Sequence, residues 1–212
     1  MAKACVNSLF VSLDGFAAGE FVTLDQPIGE AQALFSYFDG QGIEGVHTVD
    51  GPITADRALI AMWGQGSGAE IMGRKKFGPQ SGPWPDDGWR GWWGEQPPFR
   101  TPCFVLTHHP REPMEFDNGT SFHFIGASPA EALAEATAAA DGLNVRIGGG
   151  PSTVRQFLAA GLVDFLHIVV VPVVLGRGVA LWEGLDGVEK DFAVESVTTA
   201  SGLTHQLWNR RG

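Results

Sequence analysis

The feature that most constrains this chain is an almost continuous apolar run at residues 165–175. The run is rich in β-branched residues and falls well short of the roughly 18 apolar residues of a membrane span, so it predicts a fully buried strand. Strands of this kind occur in parallel sheets that are covered by helices on both faces. Further strands are predicted at residues 4–13, 69–72, 102–107, 121–125 and 144–147.

Helical patterns separate these strands. An amphipathic helix is predicted at residues 27–38, and a second helix begins at Thr54. Ser128 is followed by a proline and by Glu131, which together predict a capped helix running toward Gly142. Later segments predict a helix at 151–160 and a terminal hairpin of strands at 192–199 and 203–208. The pattern predicts an α/β three-layer sandwich with a mainly parallel central sheet and an antiparallel C-terminal edge strand.

Composition and charge narrow the class of protein. The 212 residues, 44% apolar and 18% charged, predict a single folded domain over 1–212. A net charge of −10 argues against binding to nucleic acid or to anionic membranes. Cys5 and Cys103 lie in predicted strands, which favours separate reduced thiols over a disulfide. Because no signal peptide or membrane helix is indicated, we expect a cytoplasmic protein.

Residues 78–100 form an unusual segment. They contain four of the seven tryptophans, together with five prolines and five glycines, and show no sustained periodicity. Long loops of this kind in compact domains are usually functional or disordered, and the tryptophans argue against disorder. The segment is predicted to be an ordered loop or lid, and burial against a dimer partner is the alternative.

Three successive glycines, Gly148, Gly149 and Gly150, stand between a predicted strand and a predicted helix. Such a turn lets an anion approach the backbone closely, while the amides and the dipole of the helix N-terminus attract it. Ser152 and Thr153 would add hydroxyl donors. The sequence therefore predicts a phosphate-binding turn, and a merely tight strand-to-helix turn is the alternative.

Basic and polar residues follow two other predicted strands. Gly73 precedes the only run of three basic residues, Arg74, Lys75 and Lys76, in a chain that is otherwise acidic. Such a cluster at a strand exit predicts a contact with the 2′-phosphate that distinguishes NADPH from NADH, and a solvated helix start is the alternative.

A polar triplet ends the strand predicted at 102–107. Its members Thr107, His108 and His109 would support the same phosphate or the ribose. Adjacent histidines at a strand end point to opposite faces, so no metal site is expected there.

Asp14 follows the first predicted strand and precedes Gly15. It is either a turn aspartate or an acid beside the reacting groups. The chain shows no Ser/His/Asp spacing, nucleophile elbow, Walker loop or Cys/His metal pattern, which weakens hydrolase, kinase and metalloenzyme interpretations.

Five motifs in order give the chain a resemblance to the dihydrofolate reductase-like family, which includes the C-terminal reductase domain of riboflavin biosynthesis. The motifs lie at residues 12–16, 71–77, 104–108, 145–150 and 161–176. The resemblance implies NADPH as hydride donor, with the glycine turn near the pyrophosphate, Gly73 to Lys75 near the phosphates and Thr107 to His108 near the 2′-phosphoribose. It also suggests a homodimer. Lys76 departs from the family, since many members have threonine there.

We therefore predict an NADPH-dependent reductase of a small heterocycle (pterin-, pyrimidine- or flavin-like) or of a carbonyl or imine substrate. The nicotinamide is expected near residues Val11 to Ala18, with Asp14 as a proton relay or a substrate contact. The side chains expected to wall the substrate pocket are Phe35, Phe38 and Trp63. The alternative is a non-catalytic protein that sequesters a small aromatic molecule, with the tryptophan segment as its cage.

Overall fold

The computed structural model describes residues 2–36, 54–63 (Trp63 by its backbone only), 66–85 and 88–212. In these parts of the chain, nine strands form one sheet in the order β10-β11-β8-β1-β7-β3-β4-β6-β5. A short two-stranded ribbon, β2 with β9, lies apart from it. The strands are β1 Ala4–Ser12, β2 Phe16–Ala18, β3 Ser67–Gly73, β4 Pro102–Leu106, β5 Arg111–Glu115, β6 Ser121–Ile125, β7 Asn144–Gly149, β8 Phe165–Val171, β9 Val179–Ala180, β10 Phe192–Thr198 and β11 Thr204–Arg210.

The centre of the sheet, from β8 to β6, is parallel, as the apolar runs predicted. The C-terminal hairpin of β10 and β11 adds antiparallel strands at one edge, which confirms the prediction for that edge. A second antiparallel edge strand, β5, was not predicted. It is largely exposed and contains Pro113, so it carries neither the apolar run nor the alternation that marks a strand.

Helices cover both faces of the sheet. Alternate residues of each strand point to opposite sides, so Ile71 enters one core and Met72 the other. The first face is covered by two helices, and the second by two helices, one of them a single turn, together with a 3₁₀ turn and the tryptophan segment. The helices are α1 Ala55–Trp63, α2 Arg74–Phe77, α3 Pro129–Ala139 and α4 Pro151–Ala159, with 3₁₀ turns at Gln32–Phe35 and Val188–Asp191. This arrangement confirms the three-layer sandwich.

The predicted helix starts follow from local hydrogen bonds. Thr54 Oγ1 accepts a hydrogen bond from the Arg57 amide at 3.2 Å, so α1 begins where the sequence indicated. Ser128 and Glu131 form the predicted capping box of α3, with the Glu131 carboxylate 2.9 Å from the Ser128 amide.

The prediction of a helix over 27–38 is wrong for residues 27–36, which the structure describes. Turns replace its first half, and only the 3₁₀ turn at Gln32–Phe35 remains. The backbone of Gly29 has a positive φ of 60°, and the Gly19 amide donates to the Ile28 carbonyl at 3.0 Å. A Cβ at Gly19 would lie 2.3 Å from the Glu30 nitrogen, so this tertiary contact overrides the helical pattern. Phe38 lies outside the described residues.

A buried polar chain ties α1 to the sheet. The Asp56 carboxylate lies 2.9 Å from His205 Nε2, His205 Nδ1 lies 3.0 Å from His167 Nε2, and His167 Nδ1 lies 3.2 Å from Ser8 Oγ. Both imidazoles are fully buried. Burial, together with the neighbouring His205, lowers the pKa of His167 to about 3. His167 is therefore neutral in the native state at neutral pH.

The two thiols are separate and buried, as predicted. Burial raises the pKa of Cys5 to about 11 and raises that of Cys103 further.

The tryptophan segment packs against its own chain. Trp84, Trp89 and Trp93 contact the core that contains Phe77 and Phe122, which covers the face of β3, β4 and β6. The segment's role as a lid or as a contact with a dimer partner stays a prediction. These three indoles do not line the cavity described below.

Candidate active site

A cavity of about 920 Å³ opens at the carboxyl ends of the parallel strands. This is the edge at which open α/β sheets bind ligands. Its volume falls within the range of roughly 300–1,000 Å³ that is typical of ligand pockets. One end is lined by the residues that follow β3, β4, β6 and β7, and the other by the loop around β2. The first end is polar and basic, and the second is mostly apolar.

The glycine turn contributes only its last residue to the cavity. Gly148 and Gly149 belong to β7, so the turn is shorter than predicted. A Cβ at Gly148 would lie 2.0 Å from Glu70 Oε1, so the packing against Glu70 leaves no room for a side chain at this position. Gly149 has a φ of 100°, and the peptide that joins it to Gly150 is cis.

Gly150 is the N-cap of α4 and lines the cavity together with Ser152 and Thr153. Its carbonyl accepts the Thr153 and Val154 amides at 3.0 and 3.1 Å, which starts the helix. A Cβ at Gly150 would have nothing within 4 Å, so the space beside it is open. The positive end of the helix dipole thus faces an open, backbone-lined space, as an anion requires.

Arg74 forms one wall of the basic end. Its guanidinium carbon lies 3.7 Å from the centroid of the Trp84 ring, and Nη1 donates to the Gly82 carbonyl. Its Nε and Nη2 atoms are buried and have no hydrogen-bond partner among the described residues. Burial lowers the pKa of Arg74, although the group stays protonated at neutral pH. Arg74 therefore has two buried hydrogen-bond donors without an acceptor in the described part of the chain, and such donors are uncommon in native structures.

The other two basic residues point elsewhere. Lys75 Nζ donates to the Pro79 carbonyl and to Ser81 Oγ, both at 2.8 Å. Lys76 Nζ lies 2.9 Å from Glu70 Oε1 and donates to the Gly148 carbonyl at 2.6 Å. Burial outweighs the attraction of Glu70 and lowers the pKa of Lys76. All three line the cavity, and of the three only Arg74 has buried side-chain donors without a hydrogen-bond partner among the described residues.

The residues that follow β4 form the facing wall. Thr107, His108 and His109 all line the cavity, so the structure brings them together with the basic run. Thr107 Oγ1 is tied to the His109 amide at 3.1 Å, and the His109 carbonyl accepts the indole N–H of Trp84. The side chain of His108 is exposed.

At the apolar end, Ala18 lines the cavity, whereas Val11 is buried in the core. Phe35 packs on Phe10 at 5.2 Å between ring centroids and does not reach the cavity. Phe38 and the Trp63 side chain lie outside the described residues. The apolar wall instead consists mainly of Leu9, Ala17, Ala18, Val22, Pro27, Ile28 and Val179.

This apolar wall was not predicted from the sequence. Glu20, an exposed carboxylate that also lines the cavity, was not predicted either. The paired glycines Gly19 and Gly29 were the available signal, because they allow the loop after β2 to close on itself.

Asp14 lies outside the cavity lining. Its carboxylate accepts hydrogen bonds from Ser12 Oγ at 2.6 Å, from the Leu175 amide at 3.1 Å and from the Gly176 amide at 2.6 Å. The Ser12 hydrogen bond, helped by the two amides, lowers the pKa of Asp14. The geometry therefore favours a turn residue that joins two loops over a proton relay.

Within residues 2–36, 54–63, 66–85 and 88–212, no helix has the length and apolar character needed to cross a membrane. In the same ranges, no three His, Cys, Asp or Glu side chains come together as metal ligands.

The sheet order and the cavity define an α/β protein of the dihydrofolate reductase-like type. The model of the RibD C-terminal domain family matches residues 5–202. The chain belongs to the RibD C-terminal domain family.

Three solved structures superpose on the whole chain or nearly so. A protein named for riboflavin biosynthesis from Shewanella sp. PV-4 has a TM-score of 0.59 at 20% identity, with 100% of both chains covered. A pyrimidine reductase-like protein from Corynebacterium diphtheriae has a TM-score of 0.54 at 14% identity, covering 99% of this chain and 92% of the other.

The third is a dihydrofolate reductase from Enterococcus faecalis in complex with NADP(H). It has a TM-score of 0.52 at 14% identity, covering 100% and 97% of the two chains. At these identities the likeness establishes the fold. No curated protein matches the sequence.

Proposed function

We propose that this protein is an NADPH-dependent reductase of a small heterocyclic substrate of the pterin, pyrimidine or flavin type, or of a carbonyl or imine compound. The observation that carries the proposal is Arg74, which lines the cavity and has two buried N–H groups without a hydrogen-bond partner in the part of the chain that the structure describes. Membership of the RibD C-terminal domain family and the reductase names of two structural neighbours support the same assignment.

The basic end of the cavity fits the phosphates of a dinucleotide. Arg74 would donate to the 2′-phosphate, because two parallel N–H groups suit phosphate oxygens. Thr107 and His108 border the same space from the facing wall. Gly150 and the first turn of α4 would hold the pyrophosphate through backbone amides.

The apolar end would hold the nicotinamide and the substrate. When bound, the reduced nicotinamide supplies the hydride. The side chains of Leu9, Ala17 and Ile28 exclude water from that end, which favours transfer between two planar rings. Glu20 offers a carboxylate to a substrate N–H. The assembly as a homodimer stays a prediction.

Removing the cations tests the cofactor assignment. In the Arg74→Ala/Lys75→Ala variant we expect NADPH affinity to fall by about 30-fold, since charged hydrogen bonds contribute roughly 1.5–3 kcal/mol each. NADH affinity should change by less than about threefold, because NADH has no 2′-phosphate. Isothermal titration calorimetry with both cofactors measures this. Arg177→Ala is the control, because Arg177 is exposed and pairs with Glu30 outside the cavity lining. Unchanged NADPH affinity, with NADH equally weak, would contradict the assignment.

Filling the space at the start of α4 tests the pyrophosphate site. A Cβ at Gly150 meets no atom within 4 Å, and the φ of −65° suits alanine, so Gly150→Ala should keep the free energy of unfolding within about 1 kcal/mol. The same methyl group occupies the room that a phosphate needs, so we expect NADPH and NADH to bind at least about tenfold more weakly. Urea unfolding and calorimetry on the same preparation check both parts. If the variant folds and binds both cofactors with unchanged affinity, the pyrophosphate does not bind beside Gly150.

A further inference from the structure

Trp84 connects the two polar walls of the cavity without lining it. The Arg74 guanidinium carbon lies 3.7 Å from the centroid of the Trp84 ring. The Trp84 Nε1 donates a hydrogen bond to the His109 carbonyl at 2.5 Å. One side chain therefore contacts both the Arg74 guanidinium, on the wall that follows β3, and the His109 backbone, on the wall that follows β4. The sequence analysis treated this tryptophan only as part of a loop.

The indole itself is held from several sides. The Arg111 guanidinium carbon lies 4.5 Å from the Trp84 ring centroid, and the Phe124 and Phe77 rings meet Trp84 edge to face at 5.1 and 5.8 Å. These contacts leave little room for the ring to rotate. Trp84 is thus a rigid support, although it belongs to a loop.

Arg74 gains a fixed position from this support. Stacking on Trp84 and the hydrogen bond from Nη1 to the Gly82 carbonyl leave Nε and Nη2 as the donors without partners among the described residues. An unsupported arginine loses its side-chain rotamer freedom on binding an anion, which weakens binding. An arginine already held in place loses much less, and the difference appears as affinity for the anion.

We propose that Trp84 is a positioning residue that sets the preference for the 2′-phosphorylated dinucleotide over its unphosphorylated form. The inference rests on the proposed function, because it assumes that the cavity takes a nicotinamide dinucleotide. Trp84 acts through Arg74 and through the His109 backbone, so it should affect the 2′-phosphate end and leave the rest of the dinucleotide site unchanged.

The test compares the ratio of NADH to NADPH dissociation constants in four proteins by calorimetry. Trp84→Leu removes the ring and the indole N–H, and we expect its ratio to fall by tenfold or more with NADH affinity within about threefold of wild type. Trp84→Phe keeps a ring for Arg74 and loses only the N–H, so its ratio should fall by less than about fivefold. Trp92→Leu is the matched control, because Trp92 lies in the same segment and pairs with Trp89 at 5.2 Å. Its ratio should match wild type.

A double-mutant cycle separates positioning from general damage. If Trp84 acts through Arg74, adding Arg74→Ala to either Trp84 variant should lower the ratio less than Arg74→Ala does in the wild type. Additive effects in the cycle would overturn the inference. The Trp84→Phe cycle decides the question if Trp84→Leu does not fold.

Two different failures can be told apart. A wild type that binds neither cofactor refutes the proposed function itself. A wild type that prefers NADPH, with Trp84→Leu folded and showing the same ratio, leaves the proposed function intact and refutes the role of Trp84.

Discussion

The free energy of unfolding is expected to fall by about 2 kcal/mol between pH 6.5 and 4.5 through His167 alone. The pKa of this buried imidazole is lowered to about 3 from an ordinary value of 6.5, so the unfolded chain binds a proton that the native state does not accept. Stability from this group is complete above pH 6.5 and declines as the pH falls toward 3. From well above pH 6.5 to well below pH 3, the loss of unfolding free energy from this group amounts to about 5 kcal/mol, at roughly 1.36 kcal/mol for each pH unit.

Urea unfolding followed by tryptophan fluorescence at several pH values gives this slope. His167→Gln should show a loss of less than about 1 kcal/mol over the same two pH units, because the titrating group is gone. His108→Gln, which changes an exposed histidine, should keep the wild-type slope. Equal slopes in wild type and His167→Gln would show that the buried imidazole does not control acid unfolding.

Asp56 extends the acid sensitivity to lower pH. Burial opposes ionisation of this carboxyl, but hydrogen bonds from Thr199, His205 and Ser201 outweigh it and lower the pKa of Asp56. The native state therefore also resists protonation of this group, and stability declines further as the pH falls below about 4.

The second large effect is expected at Lys76. Lys76→Met should destabilise the protein by about 3 kcal/mol, because it removes the ammonium that faces the nearly buried Glu70 and the Gly148 carbonyl. Arg146, 3.4 Å from the other carboxylate oxygen, compensates in part. Chemical unfolding at pH 7 measures the loss.

Lys75→Met is the matched control for this variant, since Lys75 is exposed, and its effect should stay within about 0.5 kcal/mol. Adding Glu70→Gln to Lys76→Met should restore part of the stability by removing the buried charge. Equal stability of the two lysine variants would refute a structural role for Lys76.

Much of the fold was predictable because the relevant signals are local. The apolar run around Ile168 can satisfy burial on both faces only inside a covered sheet, and Ser128 with Glu131 caps a helix from its own first turn. The helix over 27–38 failed because the contact between Gly19 and Glu30 is a tertiary one that periodicity does not reveal.

The candidate site was predictable in location and less so in detail. The strand-exit rule brought the basic run, the Thr107 segment and Gly150 to one cavity. The sequence could not show that Lys76 turns inward to Glu70 or that Gly148 is a packing glycine, since both depend on a partner that is distant along the chain. The support of Arg74 by Trp84 depends likewise on a fold that brings the loop back over the sheet.

The position of β1 in the middle of the sheet also determines when the chain can fold during synthesis. Ala4 lies opposite Val145, and Cys5 lies opposite Phe165, so both neighbours of β1 are synthesised long after it. On the ribosome, the apolar side chains of β1 must wait until residue 171 has emerged before the central strands can pair. Such distant pairing slows folding, and it leaves the apolar side chains of β1 without their sheet neighbours until β7 and β8 have been synthesised.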